Sequence, residues 1–158
     1  MRDSASRGLR SVDLGGLFWY RYLLGSSAFF VLFGVASAVL GSLPPASLWG
    51  GWIAEYFFAG PMPADAQLMF DFMRGPLGGT MAGHYVLQTA LVAIPVRRGE
   101  RWASVAIVAA TLLWFCVDSG VSTSHGAWFN VLRVNLSALV VTVIGVVGLE
   151  LQARRVGK

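Results

Sequence analysis

Charge is what this sequence has least of. Only 13% of its 158 residues are Asp, Glu, Lys or Arg, whereas a soluble domain carries about a quarter. So little charge excludes a disordered chain, a nucleic-acid binder coated in Lys and Arg and an ordinary water-soluble enzyme. Cysteine is nearly absent as well. Cys116 stands by itself, so there is no internal disulfide and no thiolate cluster for zinc or iron–sulfur. It lies in an apolar stretch with no histidine nearby in sequence, where a thiol tends to be inert. The catalytic signatures are missing too: no paired-carboxylate site, HExxH, GxSxG or P-loop occurs. No carboxylate interrupts the first apolar run, which argues against a small proton-coupled multidrug exporter.

What is present is apolar. Hydrophobic residues make up 56% of the chain, the mean hydropathy is +0.64, and the apolar residues fall in long blocks. A helix needs about 20 mostly apolar residues to cross roughly 30 Å of hydrocarbon. Four windows qualify: about 22–43, 76–96, 102–118 and 131–149. The first has no charge, and His84 is the one ionisable interruption of the second. None alternates as a membrane β-strand does. The expectation is an all-α integral membrane protein, a four-transmembrane-helix antiparallel bundle forming one domain over 1–158. Ala36-Ser37-Ala38 could pass as a signal-peptide cleavage site, but the apolar run exceeds the usual h-region of about 7–15 residues, so the first window is read as a helix that stays.

Basic residues set the orientation. Arg2, Arg7, Arg10, Arg21, Arg97, Arg98, Arg101, Arg154, Arg155 and Lys158 fall on one side of a four-span arrangement. The other side holds Arg74 and Arg133 with Glu55, Asp65, Asp71 and Asp118. Both termini are therefore expected in the cytoplasm, with the chain a multi-pass protein of the inner (plasma) membrane. The net charge of +4 is then a topology signal, and nucleic acid is not an expected partner. Trp19, Tyr20 and Trp102 at inner boundaries and Trp128 at an outer one fit an aromatic belt.

The outer connection, 44–75, is the one sizeable extramembrane segment. Pro44-Pro45 stops the first helix, and Gly60-Pro61-Met62-Pro63 makes a second break. Between them Leu48, Trp49, Trp52, Ile53, Tyr56 and Phe57 form a single helical stripe. This predicts an interfacial helix over about 47–59 that lids the bundle, since it lacks the Lys-rich face of a peripheral anchor. Residues 64–73 read as a further helical turn or two, and Pro76 as the first turn of the second span.

Three constellations could carry function. Gly75, Gly79 and Gly83, four apart, make a flat groove where a helix backbone can approach; the approaching helix belongs either to the bundle or to a partner. Thr80, His84 and Gln88 form a polar stripe on a neighbouring face, expected to look inward, with His84 roughly 12 Å below the outer surface. His84 either hydrogen-bonds a quinone carbonyl, relays protons or ligates a metal, or makes an interhelical hydrogen bond such as one to Asn135. Haem is disfavoured, because His125 lies in a loop and cannot oppose His84 across a ring. Lastly, Asp71, Arg74, Asp118, Arg133, Asn130 and Asn135 come to one level at the outer helix ends. There, Arg74 or Arg133 pairs with Asp118, or the arginines and an asparagine cup an anionic headgroup or carboxylate.

Arg21-Tyr22-Leu23-Leu24-Gly25 followed by Phe30, Phe33 and Gly34 resembles the opening helix of the DoxX-like small bacterial membrane proteins. The resemblance implies four spans with both termini inside and a quinone-linked redox role. Two functions follow from the residues themselves. One is a non-enzymatic accessory or assembly subunit that works through helix–helix contacts with a membrane-protein partner or a second copy. The other is a quinone- or lipid-binding, redox-associated bundle centred on His84. The sequence requires no cofactor; quinone is the one the second reading names.

Overall fold

The computed structural model of the chain describes residues 18–41 and 46–156. Arg2, Arg7, Arg10, Pro44, Pro45 and Lys158, which entered the topology and helix-break arguments, lie outside these. The described residues are mostly helical, with no strand among them. Helix α1 runs Phe18–Val39, α2 Ala46–Phe58, α3 Ala64–Leu91, α4 Arg101–Ser124, α5 Trp128–Asn130 and α6 Leu136–Val156. A π-helical stretch, Val92–Val96, extends α3, and a second, Val131–Asn135, joins α5 to α6.

Three segments are long and apolar enough to cross a membrane: Phe18–Val39, Arg101–Ser124 and Trp128–Arg155. Three such helices are compatible with a multi-pass membrane protein. The α3 segment falls short of that measure because Gly78, Gly79, Thr80, His84 and Gln88 dilute its hydropathy.

Boundaries differ from the sequence reading for identifiable reasons. Helix α1 ends at Val39 rather than near residue 43. At Gly41 the chain meets the Arg74 guanidinium so closely that a Cβ would collide with it. Helix α2 covers nearly the residues expected, 47–59. It stops at Ala59, which has positive φ (52°), before the Gly60–Pro63 break. The expectation that a new helix begins at Pro76 is corrected, since α3 runs unbroken through Pro76. A proline inside a helix lacks its N–H and crowds the residue before it. That residue here is Gly75, which has no Cβ to crowd. Helix α4 continues past Asp118 to Ser124, with the Asp118 carboxylate accepting from Ser122 and Asn130.

Packing is antiparallel and pairwise. Beside α1, α3 lies in a constant register: Gly34 on Gly78, Phe30 stacked on Tyr85 at 4.5 Å, and Ser27 bonded to Gln88. On its other side α1 meets α6, where Trp19 and Leu23 pack over Gly148 and Gly145. Helix α6 also lies along α4. The apolar core gathers at the end away from α2, with Leu23, Val92, Val96, Ala103, Ile107 and Leu149 among its members. Farther toward α2 the buried side chains turn polar: Ser27, Gln88, Thr111, Thr142, Ser119 and Asn135. Large apolar side chains such as Phe29, Leu32, Val105, Leu113 and Val117 point outward. An apolar exterior around a partly polar interior is the inverse of a soluble protein, and suits lipid as solvent.

Candidate functional site

Two faces of α3 hold most of the candidate residues, and the helix turns them in different directions. Gly78 and Ala82 are buried against α1. A Cβ on Gly34 would stand 2.7 Å from the Gly78 carbonyl oxygen, and a Cβ on Gly78 would collide with the Gly34 carbonyl and reach Ala38. Gly34-xxx-Ala38 and Gly78-xxx-Ala82 are therefore two small-xxx-small motifs in mutual contact. The glycines singled out in the sequence, Gly75, Gly79 and Gly83, sit one position off this seam. Nothing lies within 4 Å of a Cβ built on any of them, and Gly79 and Gly83 are exposed. None of the described residues packs on that face.

The polar stripe divides. Thr80 is exposed and its hydroxyl donates to the Pro76 carbonyl of its own helix at 2.7 Å. His84 is half-buried against the edge of Tyr85, with ring centroids 5.1 Å apart, and its bond to Asn135 is not made. Gln88 alone faces inward as expected. It is 3% exposed and donates to the Ser27 hydroxyl at 3.0 Å, which donates in turn to the Leu23 carbonyl at 2.7 Å. Helical periodicity spreads three residues spaced i, i+4, i+8 over about 80° of arc, so the stripe straddles the edge between the packed and open sides. Asn135, fully buried on the approach to α6, donates to Ser119 of α4 at 3.1 Å. The Gln88 and Asn135 side-chain carbonyls are buried without a partner among the described residues, and the buried Thr142 hydroxyl faces the Tyr85 phenol.

At the α2 end the expected pairing of Asp118 with an arginine is corrected. Asp118 accepts from Asn130 at 3.2 Å and Ser122 at 3.1 Å. Arg74 pairs instead with Asp71, one helical turn back, at 2.6 Å, and its guanidinium lies 5.7 Å from the Phe70 ring centre. Arg133 stands over the Trp52 ring at 4.8 Å. The arginines are thus bound to separate neighbours and do not form one cup. Local contacts win because a carboxylate three residues away on the same helix needs no loop to bring it near, and a tryptophan face attracts a cation without being charged.

The sequence sets Asn130 at this level beside Arg133 and Asn135 but does not reveal it as the junction. Its amide donates to Asp118 and to Ser122, the latter at 2.9 Å, and its carbonyl accepts from the Trp49 indole at 3.2 Å. With Trp49 against Phe70 and Trp52 and Tyr56 against Phe129, this fastens α2 across the ends of α3 and α5. Ser27 and Ser119 were also missed. The available signal was a small polar residue in an apolar run, which is too common in membrane helices to single them out.

No group of three or more His, Cys, Asp or Glu among the described residues could hold a metal. Cys116 is exposed. What the arrangement offers is an open glycine face, a half-buried imidazole beside it and a polar interior. No family model matches the chain, and neither does any curated protein or solved structure.

Proposed function

We propose that this is a four-span, non-enzymatic membrane subunit that docks another transmembrane helix along the Gly75–Gly79–Gly83 face of α3. The observation that carries this reading is the open space over all three glycines, while the adjacent Gly78 is consumed by the α1 contact. In lipid, helices associate by close backbone packing, which small residues allow. A face of this kind left uncovered is a surface a partner helix fits.

The fourth span is argued from register. From Gly78 to Val96, α3 lies alongside α1 from Gly34 to Tyr20 at every level, through Gly78, Tyr85, Gln88 and Val92. If α1 crosses the bilayer, that part of α3 occupies the same depth. Its dilution by Gly, Thr and Gln is compensated by close packing and by the Gln88–Ser27 bond. This gives the architecture of the DoxX-like proteins that the opening helix resembles, with both chain ends in the cytoplasm by the arginine distribution.

The test is the mass of the complex recovered from native membranes in mild detergent. Wild type is expected to run as a complex, with a second copy or another membrane protein. Gly79→Leu, which fills the groove, is expected to run as the single folded chain. A complex of unchanged mass in Gly79→Leu, or a wild-type chain that is single in both detergent and bilayer, overturns the reading.

One observation favours a second reading. The half-buried His84 has no hydrogen-bond partner among the described residues, so its ring N–H is left to donate to a quinone or lipid carbonyl. Against it, Gln88 has turned away to Ser27. Loss of bound quinone in His84→Ala, with an unchanged complex mass, is the result that would select it.

A further inference from the structure

At the end of the molecule away from α2, helices α4 and α6 leave an apolar groove of about 520 Å³ between them. That is inside the range of roughly 300–1,000 Å³ typical of small-molecule sites. Along α4 the groove runs from Arg101 to Leu112 on one helical face, and along α6 from Val146 to Arg154. Eleven residues of helical rise span roughly 16 Å, close to one leaflet, or about half of a 30 Å hydrocarbon core. The trough is lined by Val105, Val108 and Leu112, and Val105 is 67% exposed. Charge is confined to the mouth, where Arg101, Glu150 and Arg154 meet. Neither arginine is ion-paired with Glu150 among the described residues, and both are exposed. Two cations face one carboxylate, so the mouth is net positive, and Arg97, Arg98 and Arg155 lie on the same edge of the molecule. Trp102, next to Arg101, is exposed with its indole donating to Glu100 at 2.7 Å, as befits the headgroup level.

A cationic mouth at headgroup depth opening on an apolar trough one leaflet long matches a two-part ligand. A soluble anion would leave the trough empty. A zwitterionic lipid would bring its own cation against the arginines. Basic pockets between transmembrane helices on the cytoplasmic side are where anionic headgroups bind. We propose that the α4–α6 groove holds an anionic phospholipid, its phosphate between Arg101 and Arg154 and an acyl chain along Val105–Leu112. This rests on α4 and α6 crossing the bilayer. It does not rest on helix docking along the glycine face of α3, which lies on a different helix.

The test is native mass spectrometry of the full chain in neutral detergent with added phosphatidylglycerol or phosphatidylcholine of identical chains. Wild type is expected to retain a phosphatidylglycerol molecule roughly tenfold more tightly than phosphatidylcholine, the scale of two interfacial arginines. The double variant Arg101→Gln/Arg154→Gln is expected to lose that preference, while Arg97→Gln/Arg98→Gln, outside the groove, keeps it. Ala109→Phe, which fills the trough without changing charge, is expected to weaken both lipids. Equal retention of the two lipids by wild type overturns the proposal. So does equal loss of preference in the Arg97/Arg98 variant, which would mark diffuse attraction to a basic edge. Gly79→Leu is expected to keep the lipid preference even where it dissociates a complex, so the two proposals fail separately.

Discussion

A Cβ placed on Gly78 would run into the Gly34 carbonyl and the Ala38 methyl across the α1–α3 contact, whereas one placed on Gly79 would meet nothing within 4 Å. Adjacent residues of the same type are therefore expected to respond in opposite ways. Gly78→Ala forces two backbones apart and is expected to destabilise the folded chain by about 1–3 kcal/mol, the usual range for overpacking. Gly79→Ala adds a methyl in open space and removes a flexible residue from a helix, so it is expected to stabilise by about 0.5–1 kcal/mol. Denaturant titration of both variants in detergent, followed by circular dichroism, checks the pair. At this scale the sequence was legible in kind and illegible in register. Spacing by fours exposes a glycine stripe, but Gly75-Gly79-Gly83 and Gly78-xxx-Ala82 satisfy the same rule, and only the position of α1 chooses between them. The orphaned carbonyls of Gln88 and Asn135 are likewise invisible in sequence, because a donor is supplied or withheld by another helix.

Helix α2 was the most legible element. An apolar stripe between two proline-rich breaks specified a short amphipathic helix, and α2 Ala46–Phe58 is that helix. What holds it down was not legible, since Trp49 stands 81 residues from Asn130 in the chain. Asn130 makes three of the four side-chain bonds at that junction, the fourth running from Ser122 to Asp118. Asn130→Ala leaves the Trp49 indole unpaired and removes two donors from Asp118 and Ser122. Hydrogen exchange over 46–58 is expected to rise severalfold in that variant, with α4 and α6 unchanged. Protection of α2 equal to wild type would show that the aromatic contacts to Phe70 and Phe129 suffice. Gly126 reinforces the junction: it has φ of +72°, and a Cβ there would strike the Tyr56 hydroxyl. The opposite lesson comes from α3, where Pro76 reads as a helix start and is in fact interior. A single residue without a Cβ before the proline is enough to let the helix continue.

For the whole molecule, the question that decides the rest is how many times the chain crosses. With four crossings, Glu55 and Arg98 lie on opposite sides of the membrane; with α3 not crossing, they lie on the same side. Cysteines introduced as Glu55→Cys and Arg98→Cys, in a Cys116→Ser background, are expected to react with a membrane-impermeant maleimide from opposite faces of sealed vesicles. Reaction from one face overturns the four-span arrangement. The native Cys116, exposed on α4 within the membrane-spanning stretch, is expected to resist the same reagent in wild type until detergent is added.

Composition and block hydropathy by themselves determined that the chain is helical and lives in lipid, because length and apolarity of a segment are properties of that segment alone. They also determined that a short helix lies between the two proline-containing breaks. Tertiary structure decided which glycines are spent and which stay open, which way Gln88 and His84 turn, and that Arg74 and Arg133 hold separate neighbours in place of Asp118. Those outcomes depend on the angular register of one helix against another, and a rotation of 100° per residue turns a one-position ambiguity in sequence into a different face of the molecule.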